Sequence, residues 1–153
     1  MTTKGAAELR NQKTIWGTAP EFQTEQEFMD TLRRNKVRAM LDLATTVLYP
    51  MSMEQIRAEH DYTFEMQRAN SDVIFGHWLS LNPRLGKEAI REYERAVAAK
   101  AGFIGFGIIG QIKDGLPPSD PIWDPFYKVS IDAGISESAV THMAGGAQPD
   151  ISP

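Results

Sequence analysis

The sequence has no cysteine. That excludes disulfides, cysteine nucleophiles, and zinc or iron–sulfur sites built on thiolates. Histidine is scarce. His60, His77 and His142 are the whole supply, and no HxH or HExxH arrangement occurs. A catalytic divalent cation takes about three protein ligands and keeps a position open for water. No pair of carboxylates has a spacing that signals general acid–base work. Long apolar runs are also missing, and none approaches the ~18–20 residues of a membrane span. The opening "MTTKGAAELRNQK" lacks the apolar core of a secretory signal. Positive charge is not in excess: 16 Lys and Arg face 20 Asp and Glu, for a net charge of −4. With no basic stripe to neutralise phosphates, nucleic acid is not an expected partner, nor is a membrane. A cytoplasmic location is the expectation.

What is present describes an ordinary soluble chain. Its 153 residues suit one domain, and a hydrophobic content of 42% is enough for a core. Residues 1–23 read as a polar lead-in. Thr24 and Glu27 then form a capping box, with Phe28 and Leu32 on one helical face and Asn35 as the stop. "VRAMLDLATTV" follows as a mostly buried strand carrying Val37, Met40, Leu41 and Leu43, and Tyr49-Pro50 breaks it. Ser52 and Gln55 open a second helix running to about Asn70, with Met53, Ile56, His60 and Phe64 on its inner face.

"DVIFGHWLSLNP" is the second strand, and Asn82-Pro83 ends it. A third helix, about 86–100, carries Ile90, Tyr93 and Val97. "AGFIGFGIIGQI" at 101–112 reads as a strand buried on both faces. Ser119 or Asp120 caps a fourth helix, with Pro121 near its first turn and Trp123, Phe126, Tyr127 and Ile131 as its inner face. The order α-β-α-β-α-β-α predicts right-handed crossovers and a parallel sheet with flanking helices. Charged residues fall mainly on outer helix faces. From Ser136 onward the apolar groups are few, so 136–153 reads as a poorly ordered tail.

Four blocks in this order resemble the amidohydrolase-related (β/α)8-barrel family, which includes aminocarboxymuconate-semialdehyde decarboxylase and related hydratases and lactone hydrolases. They are "EQEFMDTLRRNKVRAMLDL", "VIFGHWLSLNPR", "EAIREYERAVAAKAGFIGFGII" and "DPIWDPFYKVSIDAGI". The likeness spans about residues 25–135. It implies an incomplete (β/α)8 TIM barrel, a divalent metal such as zinc, and a small carboxylated or ring-derived substrate. It also implies hydrolysis or decarboxylation as the chemistry. The family's Asp/His-x-His pair has no counterpart before Thr24. The family's next histidine closes the strand after "AGI". His142, in "VTHMAG", is the candidate for it, two residues late. The match stops at Ile135, as it would after a frameshift or truncation. The expectation is therefore a chain inactive or impaired alone. The alternative is a non-catalytic module that associates with itself or with a larger subunit, through the open edges of a partial sheet.

The candidate residues follow from where barrels keep their chemistry, at the C-terminal ends of strands. Asp42 and Ser80 fall near two such ends, and Gln111 follows the glycine-rich strand. Each also suits a cap or turn. His77 lies within the second strand; it reaches substrate only if it faces the barrel interior, and otherwise reads as a structural or hydrogen-bonded residue. His60 reads as a packed structural residue on its helix. Gly105-x-Gly107-x-x-Gly110 fits the letters of a dinucleotide fingerprint, but it falls inside a strand and no helix follows to receive a phosphate.

Overall fold

The computed structural model describes residues 24–43, 51–108, 116–135 and 139–141. The element order is α1 (Glu25–Arg34), β1 (Ala39–Asp42), α2 (Met53–Ala69), β2 (Ile74–Leu79), α3 (Lys87–Ala98), β3 (Phe103–Ile108), α4 (Asp124–Asp132) and β4 (Ala139–Thr141), with short 3-10 turns at Pro83–Leu85 and Pro121–Trp123. The four strands form one sheet in the order β1-β2-β3-β4, every neighbour parallel. The chain is thus α/β, as the alternating pattern predicts. The described residues make an open sheet and not a closed barrel.

Local signals account for the helix ends. Both predicted capping boxes form: the Glu27 amide donates to Thr24 Oγ1 at 3.1 Å, and the Gln55 amide to Ser52 Oγ at 3.3 Å. Each satisfies an amide that the first helical turn leaves without a partner. Lys36, at φ 54, reverses the chain after α1, and the Val37 amide donates back to the Leu32 carbonyl. That closure explains why β1 starts at Ala39 and why Val37, expected in the strand, is 47% exposed. Gly134, at φ 70, ends α4 the same way, with the Ile135 amide on the Ser130 carbonyl.

The core lies between the sheet and the helices. Ile104, Phe106 and Ile108 of β3 pack with Phe64 of α2, Tyr93 of α3 and Phe126 of α4. Phe106 sits among Tyr93, Trp123, Phe126 and Tyr127, with ring centroids 5.2 to 5.9 Å away. A second cluster joins Met29 of α1 to Met66 of α2 and to Val73 and Ile74. Right-handed crossovers between strands in sequential order bring every connecting helix to the same side. Strand alternation then sends Met40, Asp42, Gly76, Trp78, Phe103, Gly105 and Gly107 to the other face.

Three details differ from the sequence reading. Ile131, expected on the inner face of α4, is 74% exposed. Ser130 takes the inward position instead, hydrogen-bonded to Tyr93 Oη at 2.8 Å. The inner stripe of α3 is Ala89, Glu92, Tyr93 and Ala96, while Ile90 and Val97 are only partly buried. A fourth strand, β4, stands in the segment read as a poorly ordered tail. It pairs with β3 at Phe106–Ala139, Gly107–Val140 and Ile108–Thr141. The sparse apolar residues around it give no periodic signal in the sequence.

Two glycines meet backbone directly. The register shifts between Ala39, opposite Ile74, and Met40, opposite Gly76, so Phe75 has no partner on β1. A Cβ at Gly102, whose φ is +73, would lie 2.5 Å from the Phe75 carbonyl oxygen. A Cβ at Gly76 would collide with the Phe103 backbone. Both positions hold β2 and β3 close together.

Candidate functional site

Parallel strands wound this way place their C-terminal ends on one edge, where helix N-termini and loops also gather. Asp42 ends β1 on that edge, exposed, in register with Trp78 of β2. Ser80 directly follows β2. It is fully buried, and its Oγ has no hydrogen-bond partner among the described residues. Asn82 is a turn residue, its side chain accepting from the Arg84 amide at 3.0 Å. Asp42 and Ser80 are therefore the two sequence candidates placed on this edge. Gln111 and His142 lie outside the described residues. His142 directly follows Thr141, the last residue of β4.

The opposite face of the sheet, on which no helix among the described residues packs, has an aromatic patch. Trp78 and Phe103 meet edge to face at 5.4 Å, and both are partly exposed. Gly105, in register with Trp78, and Gly107 add no side chain there. Gly105 and Gly107 lie inside β3, so they form no loop around a phosphate.

His77 takes the opposite side. Its ring packs edge to face on Phe64 of α2 at 5.1 Å, and Nε2 is 3.0 Å from the Thr63 carbonyl oxygen. The ring is fully buried. The idea that it faces a barrel interior is thus corrected: the turn of the strand at Phe75 leaves His77 in register with Leu41 and Ile104, both directed toward the helices. Burial pushes its pKa down from the ordinary value.

The helix layer holds the densest polar cluster. His60 of α2 meets Glu92 of α3 through Nδ1 and Oε1 at 2.7 Å, and both side chains are fully buried. Arg95 donates to both Glu92 oxygens, at 2.8 and 2.7 Å, and to Asp61 at 2.6 Å. Arg57 stands 3.4 Å from Glu92. Burial pushes the Glu92 carboxyl up, but hydrogen bonds from His60 and Arg95 overcome it and hold it at about 2. Arg95 is raised, chiefly by its hydrogen bonds to Glu92. His60 thus lies buried on the inner face of α2, packed against α3.

Glu92 and Arg95 were missed because charged positions on helices read as solvated. One signal was available: Ala89, Glu92, Tyr93 and Ala96 share the 3–4 spacing of an inward stripe. A carboxylate in that stripe needs a buried partner, and His60 supplies it.

Among the described residues, no three His, Asp or Glu side chains group as a metal site would need. Asp42 is the one carboxylate within strands β1–β3, and the two described histidines are buried under the helices. These residues do not fit a divalent cation by themselves. No helix among them is long and apolar enough to cross a membrane. No family model, curated protein or solved structure matches the chain.

Proposed function

We propose that the chain builds part of the wall of a (β/α)8 barrel of the amidohydrolase-related kind. The chemistry of that class is metal-assisted hydrolysis or decarboxylation of small carboxylated or ring-derived compounds. The observation that supports this reading is the winding of the sheet. Strands in the order β1-β2-β3-β4, all parallel and with helices on one face, follow the progression of barrel strands. A doubly wound sheet instead reverses its strand order at a switch point. In the barrel reading Trp78, Phe103 and Asp42 look inward, and Ser80 stands near the mouth.

The described residues supply too few ligands, so no catalytic step is assigned to them and the chain alone is inactive or severely impaired. The test is turnover and metal content on purified, monodisperse protein supplied with zinc. We expect no turnover and far less than one tightly held ion per chain. One ion per chain together with hydrolysis or decarboxylation overturns the proposal of impairment.

The open face favours a second reading, a non-catalytic assembly module pairing with another copy or a larger subunit. Partly exposed Trp78 and Phe103, beside two edge strands, are the features such pairing uses. Light scattering on the eluting protein separates the two readings: a clean monomer at all concentrations removes self-pairing.

A further inference from the structure

His77 is a buried titratable group that neither reading of the function uses. Its surroundings are well defined. The Nε2–H donates to the Thr63 carbonyl of α2, so the lone pair of the neutral ring lies on Nδ1. In the neutral ring Nδ1 is buried and accepts no hydrogen bond among the described residues. Phe64 covers one side of the ring. Leu41 of β1 and Ile104 of β3 flank it in the sheet register. Behind Phe64 stand His60, 6.1 Å between ring centroids, and the Arg95 guanidinium, 6.0 Å from the Phe64 ring. The Glu92 carboxylate is engaged by His60 and Arg95. Asp61, Arg57 and Glu59, whose Oε2 is buried, are further charged groups of this layer. The Ala101 carbonyl is the acceptor that favours a second ring proton, and the charge of His60 opposes one.

We infer that His77 is an acid-sensitive lock between α2 and β2, which holds while its ring is neutral and releases α2 when the ring takes a proton. A charged imidazole in this setting gains one backbone acceptor and loses all hydration. Moving α2 away returns the ring to water and removes Thr63 and Phe64, the two α2 groups that hold it. Release therefore takes up one proton. Burial depresses the folded-state value below the ordinary 6.5, so the lock weakens as pH falls below 6.5. One proton per opening gives at most about tenfold in the opening equilibrium per pH unit. The Glu92 carboxyl, held at about 2, stays charged throughout this window. Released α2 exposes Ile56 and Phe64, both buried in the closed form.

The experiment is amide hydrogen exchange on the full chain from pH 7.5 to 5.5, expressed as protection factors. Histidine ring proton shifts are followed in the same samples. Between pH 7.5 and 5.5 protection across α2 is expected to fall by up to about tenfold, most of it below pH 6.5, with α3 falling much less. In His77→Gln the fall disappears. An undiminished fall in that variant overturns the lock. So does an equal fall across α3, which would assign the loss to the whole fold. Should His77→Gln not fold, the wild-type shifts decide. A His77 ring that titrates while α2 protection stays constant also overturns the proposal.

Discussion

The two faces of the sheet are built by different rules. The face under the helices is saturated: Ile104, Phe106 and Ile108 are buried, and Phe106 alone touches four aromatic rings. Its buried charges are compensated, with Glu92 held by His60 and Arg95. The opposite face has two partly exposed aromatics, three buried glycines and one exposed carboxylate. Stability resides on the first face. The second is where a barrel interior or a partner surface would be. A small α/β unit can thus hold its strands in place with one face complete and the other unfinished.

The largest expected loss comes from the finished face. Phe106→Ala removes the ring at the centre of the aromatic cluster, and the surrounding rings cannot close the space. The cost is about 3–5 kcal/mol, read by urea denaturation. A loss under about 1 kcal/mol would show that the cluster is loosely packed and that the contrast between the faces is small.

Next in size is the buried pair. The Glu92 carboxyl falls from an ordinary 4.5 to about 2 in the folded chain. A lowered carboxylate contributes stability above its unfolded value, and that stability is lost as pH falls from about 4.5 towards 2. The shift corresponds to about 3 kcal/mol. Glu92→Gln is expected to lose a comparable amount at pH 7 and to flatten the stability profile between pH 4.5 and 2. An unchanged acid profile in the variant would place the acid sensitivity on other carboxylates.

The same contrast explains what was legible in the sequence. Helices announced themselves because Thr24 with Glu27, and Ser52 with Gln55, satisfy end amides through local contacts alone. Strands 2 and 3 were visible as short apolar runs, and their alternation with helices fixed a parallel sheet. Strand β4 was hidden, since pairing with β3 is non-local and Ala139–Thr141 is too short for a pattern. Direction was also hidden: His77 sits in a run apolar on both sides, and only the unpaired Phe75 settles which way its ring turns. Glu92 looked like a surface charge because its partner lies 32 positions away in sequence. Of the candidate site, sequence position placed Asp42 and Ser80 at strand ends. It did not bring together a third group.

The smallest expected effect tests the unfinished face directly. Trp78→Ser removes a partly exposed ring whose aromatic contact is Phe103, at 5.4 Å. An edge-to-face pair of this kind adds about 1 kcal/mol, and no helix among the described residues packs over it. The variant is therefore expected to lose about 1 kcal/mol in urea denaturation and to associate less by light scattering. A loss of about 3 kcal/mol or more, equal at every protein concentration, would mean that this chain itself covers the ring, and the face would no longer count as open. A loss that grows with concentration would mean that another copy covers it, because only association couples stability to the amount of chain present.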